Sequence, residues 1–257
     1  MAASEDWLRL ADRVYDKGKS IFDQSHLAES PDGTRDPKVV ALTLLARTIG
    51  NFEAALLLLE NGLIVEARTI TRCCYENLFW IAALAKRGTA FVEQMELDHA
   101  ASKSKRARGL VAWSKAQDHQ PEFVETLTAL IDDLKSRSNA PSPINHKDAA
   151  DKGGVGDAYI FYRELSTDAA HPSATSLSRH ITWDDNEERF TLHGRPIEEA
   201  FAVEDTLELL CSSVLGVCAG CEEILEGLNA GEPFVELANE FNKLSGEAKL
   251  ARDAIER

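Results

Sequence analysis

Aromatic residues make up only 7% of this chain, and runs of β-branched residues are scarce, so a sheet-dominated fold is disfavoured. Basic residues are in deficit as well. Lys and Arg total 28 against 43 acidic residues, a formal net charge of −15. A surface this acidic repels phosphate backbones overall, which argues against broad nucleic-acid binding and leaves RNA only as a substrate. No uninterrupted apolar run approaches the ~18 residues that suggest a membrane-spanning helix, so no membrane partner is expected. The five cysteines (Cys73, Cys74, Cys211, Cys218, Cys221) are too few and too clustered for a disulfide framework. The opening "MAASEDWLRLADR" is charged within its first six residues, unlike a secretory leader. Together these features predict a reducing, cytoplasmic setting.

What is abundant is Ala, Leu and Glu, in 257 residues that are 44% hydrophobic, enough for a core without staples. The expected fold class is all-α, a bundle of about seven or eight helices forming a single domain over residues 1–257. A first helix over 4–25 carries Trp7, Ala11, Val14, Gly18 and Ile21 as one stripe. After "SPDGTRDP", Asp36 as N-cap and Pro37 at the first helical position open a second helix, which stops at Asn61-Gly62. A third, from Leu63 to Lys86, follows so closely that the two must lie antiparallel. A fourth spans Thr89–Lys115, and Pro121 opens a fifth with Val124, Leu127, Ile131 and Leu134 on one face. "SNAPSPINHKDAADKGGVG" (138–156) reads as a long loop. A short sixth helix covers Asp157–Ala170. "HITWDDNEERFTLHG" predicts a small β-hairpin near 180–193, with Ile181-Thr182-Trp183 facing Phe190-Thr191-Leu192. Arg195-Pro196 then opens what should be the longest helix, running to Leu228, and a last helix covers 232–255. The second, third and seventh helices are expected at the centre, the first and last at the periphery.

Two stretches could carry chemistry. In "EARTITRCCYENLFWIAAL", Arg68, Arg72 and Glu76 recur every fourth residue and share a helix face. Such pairs are usually modest surface ion pairs. Here apolar neighbours leave little room for a solvated stripe, and a buried Arg–Glu pair would be costly unless fully bonded. Exposed and partly buried readings both stand. In "FYRELSTDAAHPS", Tyr162 and Ser166 share a face, and His171 follows one turn on, restrained by Pro172. His171 either caps the helix C-terminus or acts as acid, base or binding group beside Tyr162 and Ser166.

These two motifs, Arg-x3-Glu in an apolar helix and Tyr-x3-Ser-x4-His-Pro, resemble DUF5677, a family of uncharacterised bacterial helical proteins, over roughly residues 38–225. The resemblance implies a helical bundle and supplies no activity. Proteins of similar look have been grouped with HEPN ribonucleases and toxins of defence systems, which carry an arginine a few residues ahead of a histidine. Arg163 and His171 have seven residues between them, and Arg179-His180 are adjacent, so this chain departs from that pattern.

A metal reading rests on Glu96 and His99 in "ELDH" and on Asp168 and His171 in "DAAH", with Glu53, Glu60, Glu66 or Glu76 completing a carboxylate-bridged pair of ions. Chance pairs of this kind are common in an acidic helical chain, and no metal is assigned. Cys218-x-x-Cys221 lies inside a helix without a second pair, which suits small packing residues better than zinc or redox chemistry. "KSKRARG" (Lys103, Lys105, Arg106, Arg108) reads as a solvated basic face. No cofactor is indicated. The functional class favoured is a binding module for a small ligand or protein, ahead of a HEPN-like ribonuclease and a di-metal protein. Long apolar stripes are compatible with a homodimer.

Overall fold

The computed structural model describes residues 2–27, 30–117, 121–137, 142–167, 172–197, 201–226, 228 and 230–255. Ten α-helices and one hairpin are present among them. The long helices are α1 (Ala2–Gln24), α2 (Pro37–Glu60), α3 (Ile64–Arg87), α4 (Thr89–Ala116), α5 (Pro121–Arg137), α9 (Ala202–Ile224) and α10 (Phe234–Ile255). Between α5 and α9 lie three short helices, α6 (His146–Gly153), α7 (Tyr159–Leu165) and α8 (Ala174–Ser178), then strands β1 (Ile181–Asp184) and β2 (Arg189–Leu192).

α2, α3 and α9 pack on one another at the centre, as the apolar pattern predicts. Asp36 caps α2, its Oδ1 accepting from the Lys38 amide at 2.8 Å, and Pro37 supplies the first turn. α2 ends at Asn61, and Gly62 takes φ 68° to reverse the chain into α3. α9 approaches α3 through Gly216 and Gly220, one turn apart. A Cβ on Gly216 would sit 2.5 Å from Leu78 Cδ1, and one on Gly220 would sit 3.0 Å from Ile81. Cys211, Cys218 and Cys221 are buried free thiols on α9, with Cys218 towards Gly18 of α1 and Cys221 donating to Ala41 O of α2 at 3.5 Å. Burial pushes the Cys218 thiol up to about 12, which suits packing and not redox exchange.

Several expectations need correction. The stretch read as one loop over 138–156 contains α6, capped by Asn145 and closed by Gly154 at φ 77°. The Val155 amide bonds back to Ala150 O and that of Gly154 to Asp151 O, a Schellman stop. α9 begins at Ala202, not at Arg195. The Ile197 amide is tied to Arg179 O, and Phe201 takes a positive φ just ahead of the helix. At 28 residues α4, not α9, is the longest helix. α1, expected at the periphery, packs along α9 and buries Trp7, Leu10, Ala11, Val14 and Ile21. Its stripe was legible; the depth of its burial was not. α2 is long and apolar enough to cross a membrane by length and composition. Arg47 and Glu53 interrupt its apolar run, and Ala41, Leu45, Phe52 and Ala55 of α2 are buried against neighbouring helices, as in a core helix.

The hairpin has the expected partners, Ile181 opposite Leu192 and Trp183 opposite Phe190, in antiparallel register. Its apolar side chains stand in solvent.

Candidate functional site

Four-residue spacing places Arg68, Arg72 and Glu76 on one face of α3, and α7 lies across that face. Arg72 Nη2 meets Glu76 Oε1 at 2.9 Å and donates to the Tyr162 hydroxyl at 3.0 Å. That hydroxyl donates onward to Glu76 Oε1 at 3.2 Å. Arg72 Nε donates to Ser166 Oγ at 2.8 Å, and the serine hydroxyl donates to the Tyr162 carbonyl, also at 2.8 Å. The guanidinium carbon lies 4.9 Å from the Tyr162 ring centre, close enough for a cation–π contribution. The structure thus brings Arg72, Glu76, Tyr162 and Ser166 into one hydrogen-bonded network. The side chains of Arg72 and Glu76 are each 22% exposed, so the ion pair is neither a free surface pair nor sealed in the core.

A fifth side chain joins from α6. His146, the first residue of that helix, places Nε2 3.5 Å from Glu76 Oε1 and its ring 5.4 Å from that of Tyr162. What seats α6 against α3 is a run of small residues: Ala149 and Ala150 are buried, and Gly153 lies against the Ala82–Ala83 backbone. A Cβ on Gly153 would be 2.7 Å from Ala82 Cβ and 2.8 Å from the Ala83 nitrogen, so only glycine permits this approach. Sequence reasoning misses His146 because the segment reads as a loop. The signals that could have found it are Asn145 as a cap and Gly153-Gly154 as a stop.

Burial raises the Tyr162 phenol, Glu76 adds to the rise, and Arg72 opposes it, so the hydroxyl keeps its proton and remains a donor. Cys73, next to Arg72, is raised by burial first and by Glu76 second. The network therefore contains one guanidinium, one carboxylate, one imidazole and two hydroxyls. Glu76 Oε1 is crowded by three donors, while Glu76 Oε2 and Arg72 Nη1 hydrogen-bond to no described residue. His146 Nδ1 is buried and has no partner among the described residues.

The remaining predicted residues are placed differently. Arg68 is buried one turn before Arg72, but its Nη2 turns to Glu164 Oε1 at 3.0 Å, so it stands outside the network. His171 and Asp168 lie outside the described residues. Glu96 and His99 are both exposed, and Glu96 pairs with Arg35 instead. Glu53, Glu60 and Glu66 face solvent. Among the described residues no three His, Cys, Asp or Glu side chains gather closely enough to hold a metal ion. The basic side chains of Lys103, Lys105, Arg106 and Arg108 are exposed on α4.

Fold and site together define an all-helical bundle with a half-buried polar network at the crossing of three helices. The profile of a family of unknown function, DUF5677, matches residues 38–189, more than half of the chain, and the protein belongs to that family. All five network residues fall inside the matched segment. No curated protein and no solved structure matches the chain.

Proposed function

We propose that this protein is a cytoplasmic binding module whose ligand site is the Arg72–Glu76–Tyr162–Ser166 network with His146 beside it. One observation carries the reading. The network satisfies one side of its ionic groups and leaves Arg72 Nη1, Glu76 Oε2 and His146 Nδ1 without a described partner. A carboxylate acceptor beside a guanidinium donor suits a small polar molecule that offers a donor and an acceptor side by side, such as an amide or a nucleobase edge. His171, five residues beyond Ser166, is assigned to the same site as a further binding group. The free cysteines support the cytoplasmic placement.

The test is a thermal-shift screen with nucleosides, amides, carboxylates and short RNAs. A ligand at a hundred times its Kd should stabilise the chain by about 2.7 kcal/mol. The hit should be lost in Glu76→Gln and Arg72→Ala. A hit that both variants retain would place the site elsewhere.

The contact of His146 with Glu76 favours one second reading, metal-independent RNA cleavage. An imidazole oriented by a carboxylate, with an arginine and a phenol in the same network, has the groups needed to move a proton and to neutralise a phosphorane. Lys103, Lys105 and Arg106 would then contact phosphates. This reading requires cleavage of a labelled RNA that disappears in His146→Ala and in His171→Ala. Intact RNA after incubation with the parent chain would remove it.

A further inference from the structure

A cavity of about 330 Å3 opens between α3, α7, α9 and α10, large enough for a small molecule. It borders two of the helices that build the Arg72 network and uses none of that network's side chains. Tyr75, fully buried on α3, lines it, and its hydroxyl completes no hydrogen bond to a described residue. Ser212, which lines the same space, lies near enough to ease the rise that burial imposes on the phenol, without closing a bond of ordinary geometry. A buried hydroxyl left in this state is destabilising unless a ligand binds it.

The charges around the cavity do not balance. Among the described residues, Glu164, Asp205 and Glu208 line it, and Arg252 is the one lining guanidinium. Every nitrogen of Arg252 is already engaged: Nε with Ala248 O at 3.3 Å, Nη1 with Asp205 Oδ1 at 2.7 Å, Nη2 with Glu208 Oε2 at 2.9 Å. The Ser245 hydroxyl donates to the other oxygen of Glu208. Arg68 reaches in from α3 to hold Glu164 Oε1. Asp205 Oδ2 and Glu164 Oε2 accept no hydrogen bond from a described residue. An incoming anion would meet engaged guanidinium groups and surplus carboxylate. A donor-rich cation would meet two free carboxylate oxygens and the Tyr75 hydroxyl. Phe161, Leu209 and Phe241 supply the apolar walls, and the rings of Tyr75 and Phe161 stand 6.2 Å apart.

We propose that this cavity binds a small organic cation, a primary amine carried on an apolar body. The ammonium group sits between Asp205 and Glu164 and bonds to the Tyr75 hydroxyl; the body lies against Phe161 and Phe241, whose ring faces also attract the charge.

Isothermal titration of the full chain with benzylamine, phenethylamine and 1,4-diaminobutane, each beside the alcohol of the same skeleton, tests it. At least one amine should bind saturably, and its alcohol should bind about tenfold more weakly or worse, because a charged hydrogen bond is lost. Tyr75→Phe and Asp205→Asn should each weaken the amine several-fold. Tyr75→Phe keeps the ring and decides the matter alone if Asp205→Asn, which strips a partner from Arg252, does not fold. Arg72→Ala should leave amine binding unchanged, which separates this proposal from the ligand site of the other network. No saturable binding by any amine, equal binding of amine and alcohol, or undiminished binding in Tyr75→Phe would each overturn it.

Discussion

Two ionic networks in this bundle use similar groups to different ends. At Lys17 the ammonium group is 2% exposed, pairs with Glu222 of α9 and donates to Ala230 O at 2.7 Å. This clamp joins α1, α9 and the turn before α10, and its donor is spent on partners inside the fold. At Arg72 the cation is 22% exposed, although Glu76 is scarcely more open than Glu222, and one nitrogen and one carboxylate oxygen remain unclaimed by described residues. Burial with full bonding marks a group that holds the structure together. Partial burial with spare valence marks a group that can meet something else.

The largest expected effect comes from breaking the first network. Lys17→Ala removes a buried ammonium and leaves the buried Ala230 carbonyl and the partly exposed Glu222 without their donor, and should cost about 3 kcal/mol in urea denaturation. A smaller loss would mean that water replaces the ammonium, and the contrast would weaken. Next is Gly153→Ala. Its Cβ would collide with the Ala82–Ala83 backbone, so α6 must shift, at a cost of about 1–3 kcal/mol. Because α6 carries His146, the same variant should disturb the second network, visible as a moved His146 resonance in NMR spectra. An unmoved resonance would uncouple α6 packing from the site.

A pH titration sharpens the comparison further. Glu232 is held below the usual carboxylate range by its bond to Arg13, and Asp36 by Ser30 and the Lys38 amide. A carboxylate depressed in the folded state contributes its full stability above the unfolded pKa and loses it as pH falls through the folded one. Stability should therefore decline on acidification below about pH 4, and Glu232→Gln should flatten that decline. The smallest effect is expected at the hairpin. Trp183 is 50% and Phe190 68% exposed, so changing either to Ser should alter stability by no more than about 0.5 kcal/mol. A larger loss would show that the hairpin packs against a surface beyond the described contacts.

How much of this was legible beforehand follows from period and length. The α2–α3 hairpin, the α1 stripe and the pairing of Trp183 with Phe190 rest on long or regular patterns, and those patterns survive folding. The spacing of Arg72 with Glu76, and of Tyr162 with Ser166, predicted shared faces; that the two faces meet needed the crossing of α7 over α3. His146 was hidden because α6 has only eight residues, too short for a helical period, and stands in a stretch rich in proline and glycine. Lys17 was hidden for the opposite reason. It lies beside an apolar stripe in a well-read helix, but no sequence pattern says that Glu222, two hundred residues away, arrives to neutralise it.

The most direct test of the contrast is urea denaturation of Arg72→Ala beside Lys17→Ala and the parent chain. Water can reach Glu76, Tyr162 and Ser166 once the guanidinium is gone, so Arg72→Ala should lose about 1 kcal/mol or less. An Arg72→Ala loss as large as that of Lys17→Ala would make both networks structural ties and contradict the assignment of a ligand site at Arg72.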